Sequence, residues 1–258
     1  MCYEADATPP VYGAPITAIT SSHVMLTSRD GAEVAAFESV PAEPSGPAVL
    51  VLPDMRGLFG FYEHLTMRLA EQGLPALAID YYSRSAGTDY RARPADFSEE
   101  PNILPHRAAL TRDGLYGDFA AGIDFLRAPG SGGAGSVISL GFCVGGRFAF
   151  LTADRQFGLD GAIGLYGYPD ALRGAPGPTQ LAADLTAPIL GLFAGADNIT
   201  PEVVDAFDKA LTEAGNDHEF HTYPGAPHGF FEIESDEFGA QCADVWRRVL
   251  AFARALTV

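Results

Sequence analysis

Ser136-Val137-Ile138-Ser139-Leu140-Gly141-Phe142-Cys143-Val144-Gly145-Gly146-Arg147 carries three signals in one stretch. Residues 136–140 form a short apolar run, read as a buried strand. Residues 144–154 have the apolar spacing of a helix. Between them a G-x-C-x-G pentapeptide must turn the chain sharply. Such a turn is strained at its centre, and glycine at both ends lets strand and helix pass without Cβ atoms in the way. It delivers the Cys143 sulfur to a helix N-terminus, where the partial positive charge favours a thiolate. Taken alone, the pentapeptide is equally compatible with a small buried cysteine that only packs.

Outward from this turn, short apolar runs alternate with longer amphipathic ones. Residues 16–27 and 33–38 read as a strand pair in an N-terminal extension, 1–40, with Asp30 and Gly31 in the turn. Strands are expected at 48–53, 75–80, 162–166, 189–194 and 220–223. Helices are expected at about 63–72, 113–127, 201–213 and 238–256, with a helical turn at 181–184. Pro201 suits the first helical position, with Thr200 as its cap. Residues 83–112 show no sustained period and read as a rim or lid loop. Repeated β–α alternation predicts one domain over 1–258, a mostly parallel sheet with helices on both faces.

In sheets of this kind ligands bind beyond the carboxyl ends of the strands. The residues that stand there are 54–56, 80–84, Cys143, Asp197 in Gly195-Ala196-Asp197, and His228 in Tyr223-Pro-Gly-Ala-Pro-His-Gly-Phe230. Nucleophile, acid and histidine in that order along the chain is the order of the α/β-hydrolase fold. His228 would take the proton of the thiol and return it to a leaving alcohol, while Asp197 would fix the imidazole tautomer. Separately, Asp197 is compatible with a turn or cap, and His228 with a loop residue bonded to backbone. No metal-ligand spacing stands out among the six histidines and three cysteines, so no metal or cofactor is expected.

GFCVGG, GADNITP and YPGAPHGF together resemble the dienelactone hydrolase family, from about residue 48 to the last helix. The resemblance implies a carboxymethylenebutenolidase-like hydrolase that cleaves cyclic enol-lactones or small esters through a Cys143–His228–Asp197 triad and a thioacyl-enzyme. It implies that Asp54, in Leu-Pro-Asp-Met-Arg-Gly, holds the cysteine at rest, although an aspartate there could also just cap a turn. The oxyanion hole would be the backbone N–H groups of Val144 and Met55. Arg84 stands where the family binds a substrate carboxylate. Glu232 stands where a second arginine would be, and a carboxylate there argues against dienelactone itself. Arg56 is a substitute cation, and Tyr82 and Phe230 are candidate pocket walls. A thioesterase or carbon–carbon hydrolase with the same residues remains open, as does an idle homologue that binds a small molecule or partner.

The chain has 258 residues, 47% of them hydrophobic, which is ample for a buried core. Its net charge of −17 opposes binding to nucleic acid or an anionic membrane, both of which need a basic face. There is no apolar run of roughly 20 residues and no secretory signal in MCYEADATPPVYGAP. The three cysteines are far apart and unpaired in pattern, so a cytoplasmic monomer or homodimer acting on a small molecule is expected.

Overall fold

The computed structural model describes residues 6–93, 96–130, 135–231 and 236–256. Its strands are β1 (Ile19–Thr27), β2 (Glu33–Pro41), β3 (Ala48–Leu52), β4 (Ala76–Ile79), β5 (Val137–Phe142), β6 (Gly161–Leu165), β7 (Ile189–Ala196) and β8 (His218–Pro227). The helices are α1 (Gly60–Glu71), α2 (Ser83–Ala86), α3 (Glu100–Ala109), α4 (Arg112–Arg127), α5 (Val144–Thr152), α6 (Pro201–Ala214) and α7 (Gly239–Ala255). All eight strands share one sheet in the order β1-β2-β4-β3-β5-β6-β7-β8. The β1–β2 and β2–β4 pairs are antiparallel, and the remaining pairs are parallel. This is the α/β-hydrolase fold that the chain order implied.

The continuous apolar run Ala48–Leu52 is buried at every position because both faces of β3 are covered. Side chains alternate between the faces. Val49 and Val51 pack with Leu65 and Leu69 of α1 and with Trp246 and Val249 of α7. Leu50 and Leu52 belong to a second cluster with Phe119 and Ile123 of α4, Phe148 and Phe150 of α5, and Phe207 of α6. The parallel strands therefore all end on one edge, where the loops after β3, β5, β7 and β8 meet. Among the described residues no helix is long and apolar enough to cross a membrane.

Three local expectations need correction. Residues 83–112 are not an unstructured loop: they hold α2, two 3₁₀ turns at Tyr90–Ala92 and Asp96–Ser98, and α3. Pro105 inside α3 removes one helical hydrogen bond and hides the period, and only Ile103 of that helix is buried. The last strand is ten residues rather than four. Thr200 holds the cap position of α6 without a capping hydrogen bond, its hydroxyl bonding the Glu202 side chain instead.

Arg84 also departs from its expected role. Its guanidinium bonds Asp118 of α4 at 2.7 Å, Asp30 at 2.5 Å and the Ser28 hydroxyl at 2.8 Å. It ties the β1–β2 hairpin turn to α4 and is a structural clamp. The Asp118 side chain is only 1% exposed, so removing the cation leaves a buried carboxylate uncompensated. Arg84→Gln is expected to destabilise the fold by about 2 kcal/mol, read as a melting temperature roughly 4–8 °C lower. The KM for any ester substrate should be unchanged in the same preparation.

Candidate active site

Cys143 follows β5 and precedes α5 with φ 57° and ψ −116°, a conformation that costs about 1–3 kcal/mol for a residue with a Cβ. The surrounding backbone holds it there. A Cβ on Gly145 would lie 2.1 Å from the Leu52 carbonyl oxygen, and one on Gly141 would lie 1.9 Å from the Gly145 carbonyl oxygen. The elbow is thus pressed against the end of β3. The Cys143 N–H donates to Leu165 O at 3.0 Å, which pins the turn to β6.

Parallel pairing brings the acid to the histidine. Ala196 of β7 pairs with Pro227 of β8 across a register shift, so the next residues, Asp197 and His228, leave the sheet side by side. His228 Nδ1 lies 2.6 Å from Asp197 Oδ2, with the Asp197 side chain 3% exposed. Asp197 Oδ1 accepts the Asn198 N–H at 2.6 Å. The His228 side chain also hydrogen-bonds Cys143. Burial alone would lower the imidazole pKa, but the bonds to Asp197 and to the Cys143 sulfur outweigh it and push it from 6.5 to about 10. The His228 ring rests on Tyr166 at a centroid distance of 4.9 Å. Tyr166, directly after β6, is itself held at φ 38°.

The loop after β3 carries Asp54, Met55 and Arg56. Asp54 is fully buried, and its pKa is pushed up to about 7, first by burial and with a further push from Cys143, against the pull of Arg56. Its Oδ1 accepts the Arg56 N–H at 2.9 Å, and Oδ2 lies 3.7 Å from Arg56 Nε without a hydrogen bond. Asp54 Oδ2 has no hydrogen-bond partner among the described residues, while its carboxyl is close enough to Cys143 to feel its charge. Among the described residues the Met55 N–H finds no acceptor. The Val144 N–H, at the first position of α5, has none within the helix either. Both residues line the same cavity as the sulfur.

That cavity is about 680 Å³, with Cys143, His228, Asp197, Met55 and Val144 in its wall. Of the other residues proposed from sequence, Arg84, Arg56, Tyr82 and Phe230 do not line it. Arg56 is buried over the Phe59 ring at 4.0 Å. Tyr82 donates to Met55 O beneath the loop, and Phe230 packs on Tyr166 and Tyr223. Glu232 and Cys2 lie outside the described residues. The cavity's cations are instead Arg107 of α3 and Arg147 of α5. Arg147 stands four residues after Cys143, a helical spacing that could have revealed it. It is spent on carbonyls, donating to Tyr168 O at 2.8 Å and to Asp170 O, which holds the 168–176 loop over the site. Arg107 was hidden because α3 itself was not read.

The model of the dienelactone hydrolase family matches residues 34–256. A protein of Escherichia coli (strain K12), provisionally named a carboxymethylenebutenolidase, is 32% identical over 247 residues, covering 92% of this chain and 87% of its own. A similarly named protein of Saccharolobus solfataricus is 28% identical, covering 88% of this chain and 96% of its own. Among solved structures, a provisionally named dienelactone hydrolase from Klebsiella pneumoniae superposes with a TM-score of 0.78 at 26% identity. That match covers 91% of this chain and 98% of that one. The chain belongs to the dienelactone hydrolase family. It is a hydrolase, as the resemblance implied.

The Cys143–His228 bond sets a pH dependence that can be measured. The bonds that push the imidazole up to about 10 favour its charged form, and a cation beside the sulfur favours the thiolate over the thiol. Alkylation of Cys143 by iodoacetamide should therefore be flat between about pH 7 and 9. In His228→Ala the rate at pH 7 should drop roughly tenfold or more and then climb toward an ordinary thiol pKa near 8.5. A wild-type rate that climbs in the same way would contradict the pairing.

Proposed function

We propose that the chain hydrolyses a small carboxylic ester or lactone with Cys143 as nucleophile, His228 as acid and base, and Asp197 as its orienting partner. The observation that carries this reading is the relay from Asp197 Oδ2 to His228 Nδ1 at 2.6 Å, with Cys143 bonded to the same ring, beside two backbone N–H donors that find no acceptor among the described residues.

The thiolate adds to the carbonyl carbon, and the carbonyl π electrons move to oxygen. The resulting oxyanion lies against the N–H groups of Met55 and Val144. Collapse breaks the carbon–oxygen bond, and the departing alkoxide takes the proton from His228 Nε2, leaving a thioester on Cys143. In a lactone the alcohol stays tethered to the acyl group. Consuming the thiolate removes the two interactions from Cys143 that help raise the imidazole pKa, so His228 becomes a neutral base. It then takes a proton from water as the hydroxide adds to the thioester. The thiolate leaves, and acid, alcohol and the starting ion pair remain. Asp197 keeps the proton on Nδ1 throughout.

Arg107 supports an anionic group on the substrate. Among the described residues its guanidinium makes no hydrogen bond or ion pair, and it faces the cavity of a chain whose net charge is −17. A charge-assisted bond is worth about 1.5–3 kcal/mol. Arg107→Gln should raise KM roughly tenfold or more for a carboxylate-bearing ester while leaving a neutral ester within about threefold.

The nucleophile is tested by release of p-nitrophenol from a short-chain ester. Cys143→Ala should lower kcat by at least about 10³. A variant that turns over like wild type would exclude cysteine catalysis.

A further inference from the structure

We infer that Tyr81 is a positioning residue that aims the Met55 N–H at the oxyanion. This rests on the proposed acyl-transfer function. β3 and β4 are parallel neighbours, so the residue two past the end of β4 reaches the loop after β3. The Tyr81 hydroxyl lies against the carbonyl oxygens of Pro53, at 3.0 Å, and of Asp54. The Asp54 carbonyl also accepts the Gly57 N–H at 3.0 Å, closing a turn over 54–57.

Peptide planarity gives this contact its consequence. The unit joining Asp54 to Met55 is trans, since the described residues contain no cis bond, so its C=O and N–H point in opposite directions. A donor that fixes the Asp54 carbonyl on the buried side fixes the Met55 N–H on the cavity side, where it has no acceptor among the described residues. Neighbouring units are held as well: the Asp54 N–H donates to the Tyr62 hydroxyl at 2.8 Å, and the Tyr82 hydroxyl donates to Met55 O at 2.9 Å. On the plane that carries the oxyanion donor, Tyr81 supplies the side-chain contact found among the described residues, beside the backbone bond from the Gly57 N–H.

Tyr81 is fully buried, its ring edge-on to Phe148 and Tyr82 at 5.4 and 4.7 Å. Burial keeps the phenol protonated well above its usual range, so it remains a donor at any working pH. Nothing in the apolar packing requires the hydroxyl; the ring alone would fill the space. A buried hydroxyl is retained at a cost unless it is bonded, and its acceptors here are these loop carbonyls.

The test is Tyr81→Phe, which keeps the ring and removes only the donor. Two rates are compared on the same preparation: turnover of a p-nitrophenyl ester, and alkylation of Cys143 by iodoacetamide. Alkylation displaces iodide at a saturated carbon and forms no oxyanion, so its rate reports the reactivity of the Cys143 sulfur without the oxyanion donors. The ratio of turnover to alkylation should fall roughly 10- to 100-fold, less than the about 10²–10³ lost with a whole oxyanion donor, with the loss in kcat and little change in KM. An unchanged ratio would overturn the role of Tyr81 even with both rates lowered, because a structural defect lowers them together. If wild type and Cys143→Ala turned over alike, the acyl-transfer reading itself would fail, an outcome separate from the Tyr81 result.

Discussion

The backbone contact between the start of α5 and the end of β3 is the constraint from which the rest of the site follows. With Gly145 lying where a Cβ would come within 2.1 Å of Leu52 O, helix and strand meet without side chains between them. Closeness forces the Cys143 backbone into its strained conformation and puts the sulfur at the first turn of a helix, beside the loop of Met55. Two N–H groups that belong to different elements thereby face one cavity. The strain is sustained by the parallel strands on either side, β3 and β6, whose own hydrogen bonds do not involve the cysteine side chain.

Electrostatics at the site oppose those of the molecule. The chain is strongly acidic, yet the surroundings of Cys143 supply an imidazole whose charged form is favoured, the Arg107 guanidinium and a helix N-terminus. Asp54, its carboxyl pushed up to about 7 first by burial, shapes its loop by accepting the Arg56 N–H.

The meeting of Cys143, Asp197 and His228 at one place was legible in the sequence because each directly follows a strand, and strand ends in a parallel sheet share an edge. Loop glycines made those positions conspicuous. Arg84 also follows a strand, but position along the chain does not say which way a long side chain turns, and here it turns to Asp118 and Asp30. Arg107 depended on a helix that Pro101 and Pro105 disguise. The hydroxyls of Tyr81 and Tyr82 act on a loop nearly thirty residues earlier, and that meeting requires β4 to lie beside β3. Local sequence carries apolar character and turn chemistry; it does not carry the strand order that decides which carbonyl a buried tyrosine meets.

Cysteine-based acyl transfer is tested most directly by rapid quenching of the enzyme with a short-chain ester, followed by mass spectrometry of the peptide that contains Cys143. The account predicts a transient mass increase equal to one acyl group, on Cys143 alone, appearing with turnover and decaying as substrate is exhausted. Turnover at full rate with no acyl group on Cys143 at any time, or with the acyl group on another residue, would contradict it.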